Sequence, residues 1–272
     1  MKFLSRFYIA LIFLILYAPI LVVILFSFNR SGSLSQFSGF SFYWYRELFR
    51  DGEALKALKN SLILAVLSSL LATVLGTLCA FAIDRSKRKW FARSVETVTN
   101  IPMMNPDIVT GVSMMLLFVG VAGLLKTTSL LGFWTMLIAH TTFNLPYVTL
   151  SVLPKLRQMD NSLSEAALDL GCTPAQTFFR VELPSILPGV LSGLMMSFTL
   201  SLDDFVISHF VSSADFRTLP LYIYNQTAHE VKFSMYALCT LIILVILALL
   251  IAVNFAGSVG QRRQRRKVGA RG

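Results

Sequence analysis

Cysteine, histidine and charge are all scarce in this chain of 272 residues, and each shortage argues against a class of function. The three cysteines, Cys79, Cys172 and Cys239, are scattered with no C-x-x-C pair, so neither a disulfide framework nor a zinc site is suggested. His140, His209 and His229 stand far apart in sequence, and a lone histidine inside a membrane is more often a hydrogen-bonded packing residue than a ligand or base. There is no G-x-x-x-x-G-K-S/T phosphate loop, so the chain cannot hydrolyse nucleotide by itself in the usual way. Neither a G-x-S-x-G elbow nor an H-E-x-x-H helix is present, which argues against an enzyme. Charged residues make up only 14% against 55% hydrophobic, a mix too apolar for an ordinary soluble domain of this size.

What fills the chain instead is long hydrophobic runs. A membrane-spanning helix needs roughly 20 mostly apolar residues. Six segments meet that need: Phe7–Phe28, Ser61–Ile83, Ile108–Leu125, Leu130–Leu153, Ile186–Val211 and Tyr236–Ala256. Four carry no acidic or basic side chain. Leu130–Leu153 contains His140, Asn144 and Pro146, and Ile186–Val211 contains Asp203, Asp204 and His209. The first run follows Lys2 and Arg6 as a signal peptide would, yet it is longer than a signal core of roughly 7–15 residues and no A-x-A site follows, so an uncleaved anchor is expected. The expected fold is all-α, a polytopic membrane protein of six helices.

Six spans put both termini on one side. The termini and the two loops on their side hold 16 of the 24 Lys and Arg residues, and the opposite face holds 8, which predicts that both ends are cytoplasmic. The net charge of +10 and the tail segment QRRQRRK invite a nucleic-acid reading. Holding the last helix against anionic lipid heads is the preferred role, with no nucleic acid as partner.

The loop Pro154–Ser185 is unusually well punctuated. Ser162 with Glu165 fits one capping box, and Gly171 sits where a two-turn helix would need a left-handed residue. Thr173-Pro174-Ala175-Gln176 fits a second box with proline at the first helical position, and Leu183-Pro184 is expected to close that helix. The prediction is helix, tight turn, helix. Ala166 and Ala167 beside Glu165 would let another protein surface approach the backbone closely; an amphipathic linker on lipid is the plainer alternative.

These residues carry a resemblance. Glu165-Ala166-Ala167, three residues, Gly171, nine residues, then Val181-x-Leu183-Pro184 resembles the EAA motif of permease subunits of ABC importers, with Val181 in place of isoleucine the one departure. The resemblance implies the type I ABC importer permease fold. It also implies that the loop forms a coupling helix docking on a cytoplasmic ABC ATPase dimer, which binds the ATP, so that this chain needs no cofactor of its own. The corresponding organisation is an anchor span and exterior loop over 1–59, a permease domain over 60–256 with its coupling loop at 154–185, and a basic tail over 257–272.

Two further features lie in Ile186–Val211. Gly189, Gly193, Ser197 and Ser201 recur every four residues, a stripe suited to close helix packing, either with a homologous permease half or within the chain. Asp203 and Asp204 follow, although a carboxylate near the bilayer centre costs about 2.5–3.5 kcal/mol. No cation inside the spans is available as an internal partner, so an incoming cation is one candidate and a solvated or capping position at the exterior end is another. Successive helical residues point about 100° apart, so both acids can face one pathway only if the helix is broken.

The segments SFTLSLDDFVISHFVSS, NPDIVTGVSMMLLF, AHTTFNLPYV and EAALDLG, with the stretch Tyr17–Asn29, are similar to permease subunits of spermidine/putrescine importers. That resemblance implies a bacterial inner-membrane permease for polyamines, working with a second permease subunit and a periplasmic polyamine-binding protein. Asp203, Asp204 and Asp107 would line the pathway, with Phe143 and Tyr147 offering cation–π contacts. Relatives that carry opines or other cationic amines share parts of the pattern. A stand-alone secondary transporter using the aspartates as proton relays is the rival from another class, but it leaves the capped loop without a task.

Overall fold

The computed structural model describes residues 2–33, 36–127, 131–160, 162–227, 232–248 and 251. His229, the basic tail 257–272 and the end of the sixth expected span lie outside them. The chain divides into two compact units, Lys56–Tyr222 and a second made from Met1–Leu55 with Ile223–Gly272. Among the described residues five helices are long and apolar enough to cross a membrane: Arg6–Ser27, Gly52–Arg85, Asp107–Leu124, Phe133–Gln158 and Pro174–Asp203. A sixth apolar helix, Ser234–Ala248, is shorter within the described residues.

The terminal unit contains α1 (Lys2–Ser27), which is apolar on every side and buries none of its apolar window within the chain. Its end is tied down by polar contacts. Ser27 Oγ lies 2.9 Å from the Tyr45 hydroxyl, on α2 (Tyr43–Leu48). Buried Asn29 donates to the carbonyls of Ser33 and Gln36, and its own carbonyl accepts the Trp44 indole N–H at 2.7 Å. Trp44 in turn packs on Phe233, next to the apolar helix Ser234–Ala248.

The larger unit is built around α6 (Phe133–Gln158), the most thoroughly buried of the long helices. Its neighbours are α3 (Gly52–Arg85), α4 (Lys89–Met104), α5 (Asp107–Leu124), α9 (Leu183–Asp203) and α10 (Val206–Val211). The small-residue stripe explains the packing. A Cβ on Gly189 would meet the Ser151 carbonyl at 2.8 Å, and one on Gly193 would sit 3.2 Å from Val148 Cα. From the other side, a Cβ on Gly76 of α3 would lie 2.8 Å from Val148. The stripe therefore serves packing within the chain: Gly189, Gly193, Ser197 and Ser201 are all buried, and the first two lie directly against α6. Apolar layers run above and below Val148, one with Leu64, Met136, Phe143 and Ile207, the other with Ala80, Val152, Leu156 and Ile186.

Three expectations are corrected. The segment Ile186–Val211 is two helices, because α9 stops at Asp203 and Asp204 is extended. Ser162 is the first residue of α7 (Ser162–Asp169) instead of its cap; the Asp160 carboxylate accepts the Ser162 backbone N–H at 3.0 Å. Leu183-Pro184 opens a helix instead of closing one. Proline lacks an N–H and its ring clashes with the carbonyl four residues back, here Arg180. The chain absorbs this with a π turn at Phe178–Glu182, in which the Leu183 N–H reaches the Phe178 carbonyl five residues away. α8 (Pro174–Thr177) thus feeds straight into α9.

Candidate functional site

Two polar constructions stand out in the larger unit. The first surrounds the break at Asp203–Asp204. Asp204 accepts the backbone N–H of Ile207 at 3.2 Å and of Ser208 at 2.7 Å, so it caps the six-residue α10. The same carboxylate lies 3.4 Å from His140 Nε2, and its side chain is only 8% exposed. His140, itself buried, places Nδ1 2.8 Å from Ser201 Oγ and Nε2 3.2 Å from Ser208 Oγ. Ser201 continues the chain to Ser68 of α3 at 2.8 Å. The break is therefore held by polar groups from α3, α6, α9 and α10, each of which satisfies another inside the bundle. His140 is the internal partner the sequence did not reveal.

Asp203, the neighbour in sequence, is exposed and points out of this network. Asp107 is exposed as well, in the first turn of α5. One turn further along, Gly111 packs against α10: a Cβ there would meet Phe210 at 2.9 Å. Phe143 is buried against Tyr147 with ring centres 5.5 Å apart, which makes it a packing residue. Ser68 stands roughly 25 Å along α3 from Arg85 at 1.5 Å per residue, so the break is nearly a full hydrocarbon thickness of about 30 Å away from that end.

The second construction is the capped loop. Thr173 and Gln176 form the reciprocal box, with Gln176 N–H donating to Thr173 Oγ1 at 3.3 Å and Thr173 N–H to Gln176 Oε1 at 2.9 Å. Gly171 has φ +85°, the left-handed turn residue read from the sequence. The N–H and hydroxyl of Ser162 hold the Asp160 carboxyl below the usual carboxylate range. Glu165 and Ala166 are exposed, as are Leu163, Leu168, Asp169, Leu170 and Phe179, so the outer surface of the loop is largely apolar and carries two acids. Ala167 faces inward and is buried, so only one of the two alanines is free for an outside partner. Leu183 is half-buried and Pro184 exposed.

Residues missed in the sequence join this loop to the bundle. Buried Glu182 ion-pairs with Arg85, at the end of α3, and accepts a hydrogen bond from Ser164 of α7 at 2.8 Å. A single glutamate flanked by Val181 and Leu183 was the available signal, but nothing in the sequence ties it to Arg85.

The family described as binding-protein-dependent transport system inner membrane component matches residues 72–267. The chain is 38% identical over 231 residues to the putrescine transport system permease protein PotI of Escherichia coli (strain K12), covering 85% of this chain and 82% of that protein. It is 38% identical over 251 residues to the spermidine/putrescine transport system permease protein PotC of Haemophilus influenzae, covering 92% and 94%. Among solved structures, a chain of a bacterial alginate ABC transporter in complex with an alginate pentasaccharide-bound periplasmic protein superposes with a TM-score of 0.74 at 17% identity, covering 96% of this chain and 94% of that one.

Proposed function

Because the chain belongs to the binding-protein-dependent transport system inner membrane component family, we propose that its cargo is a polyamine, putrescine or spermidine. Its fold is the all-α type I ABC importer permease fold, and it is a transport subunit, not an enzyme. In this reading a periplasmic binding protein delivers the amine to a pair of permease chains. A separate ATPase dimer binds ATP and drives the change of access. The termini lie in the cytoplasm of a bacterium, as the 16 to 8 distribution of Lys and Arg favours.

The observation that carries the reading is the broken helix at Asp203–Asp204. Helix breaks inside membranes are tolerated where the backbone lines a cavity or is buried in protein, and they mark transport sites. Here the break leaves one carboxylate, Asp203, exposed in an apolar bundle, while Asp204 and His140 hold the geometry. An amine with charges spaced on an apolar stem suits one exposed acid at the break and another, Asp107, at the start of the adjoining α5. Glu165, Ala166 and Gly171, with the exposed leucines around them, supply the surface on which the ATPase docks.

The test is uptake of labelled putrescine and spermidine by the complex reconstituted in vesicles with and without ATP. Amine accumulation that requires ATP and the binding protein supports the reading. Uptake by this chain with no ATPase bound refutes it.

A further inference from the structure

Glu182 is sealed at the seam of three elements, and its partners make it more than a loop residue. Its side chain is 3% exposed, and a carboxylate so buried persists only if it is paired and hydrogen-bonded. Arg85 from the last turn of α3 supplies the charge, with 56% of its own side chain exposed. Ser164 from α7 donates to the same carboxylate oxygen. A second brace lies one turn away on both elements, where Phe81 of α3 packs edge-on against Phe178 of the π turn with centres 4.9 Å apart. The end of α3 and the π turn are thus cross-braced by two rungs, and α7 is bonded to the brace.

The covalent joints of α7 are of a different kind. It leaves α6 through an extended Met159 and meets α8 through the left-handed Gly171. Both are points where a backbone bends. Among the described residues, α7 is fastened to the bundle by the packing of buried Ala167 and by the charge-assisted bond at Glu182, the stronger class of hydrogen bond. Farther along, α3 and α9 meet again through the Ser68–Ser201 contact at the break, so the two helices are tied at both levels.

We propose that Arg85, Glu182 and Ser164 form the joint that carries a displacement of α7 into α3 and α9, with Glu182 the positioning residue of the coupling step. The inference rests on the reading that α7 is where the ATPase engages. It adds the route by which that engagement reaches the Asp203–Asp204 break.

The test uses the assembled complex in vesicles, with Cys79, Cys172 and Cys239 replaced by alanine and spin labels attached through Asp84→Cys on α3 and Asp169→Cys on α7, both exposed positions. Arg85→Met removes the charge from a half-exposed side chain, Glu182→Gln keeps the shape, and Arg85→Lys is the conservative control. In the parent and in Arg85→Lys the label separation is narrow and unchanged by ATP. In Arg85→Met and Glu182→Gln it broadens and becomes dependent on ATP, and labelled putrescine moved per ATP hydrolysed falls about tenfold, while the ATPase stays bound. An unaltered separation and ratio in Arg85→Met and Glu182→Gln overturns the joint. Release of the ATPase by Arg85→Met also overturns it, since the cluster would then be shaping the docking face instead of transmitting motion. If Glu165→Lys and Gly171→Leu leave the ATPase bound and coupled, the docking reading itself falls and takes the joint with it, a result distinguishable from failure of the joint alone.

Discussion

Nε2 of His140 lies 3.4 Å from the Asp204 carboxylate, both side chains sealed inside the bundle at the point where a long apolar helix breaks. His140 therefore settles which of two adjacent acids faces inward. The pair also brings Ser201 and Ser208 into one network, so the break is a built feature of the fold.

His140→Phe removes one partner each from Asp204, Ser201 and Ser208; Asp204 keeps its backbone donors and Ser201 keeps Ser68, so the loss falls most on the Ser208 hydroxyl. Leaving buried polar groups unpaired costs about 1–3 kcal/mol. The expected result is a lower unfolding temperature of the purified permease, measured by intrinsic fluorescence in detergent, with uptake reduced in proportion to the folded protein.

The two aspartates are expected to separate by phenotype. Asp203→Asn leaves the unfolding temperature unchanged and weakens putrescine uptake, since its exposed side chain takes no part in the network. Asp204→Ala loses the cap on α10, which is worth about 0.5–2 kcal/mol, and lowers the unfolding temperature first. Equal effects of the two substitutions on stability would contradict this division.

Gly189→Val drives a branched side chain into the Ser151 carbonyl and the Lys155 stem, which stand 2.8 Å and 2.7 Å from where its Cβ would lie. Overpacking of this kind costs about 1–3 kcal/mol. Gly120→Ala on α5 is the control, because open space surrounds its Cβ direction. Thermal unfolding of both proteins checks the contrast.

Gly171→Ala strains the left-handed turn between α7 and α8 by about 1–2 kcal/mol, although no neighbouring atom obstructs the methyl group. The expected outcome is normal insertion in the membrane with lower binding-protein-stimulated ATP hydrolysis in the complex. Gly171→Asn retains more activity, since asparagine tolerates that conformation.

Asp160 predicts a pH response of the loop. Its carboxyl is held below the usual range by Ser162, so the charged form is favoured when α7 is folded. A depressed carboxylate contributes stability above its unfolded value, and that contribution disappears as pH falls through the folded value. Protection of α7 amides, taken relative to the intrinsic exchange rate at each pH, should therefore fall at the acid end of the range, and Asp160→Ala should show the lower protection already at neutral pH and lose that acid dependence.

Much of the loop was legible because its determinants are local. The Thr173–Gln176 box and the Gly171 turn each act within a few residues, so spacing alone identified them. Ser162 misled because Asp160, two residues before it, takes the Ser162 N–H, a bond that the S-x-x-E spacing does not reveal. Pro184 misled for a related reason: a proline reads as a stop, but a π turn lets the helix pass through it.

Sequence alone determined that the chain is a bundle of apolar helices with a capped polar loop and a pair of acids in a span, since hydrophobic length and short-range caps need no knowledge of distant residues. Only the tertiary structure decided that Asp204 belongs to His140, that the small-residue stripe faces α6, and that Glu182 finds Arg85 at a separation of 97 residues. Those pairings depend on how helices pack in three dimensions, and packing is set by the whole chain at once.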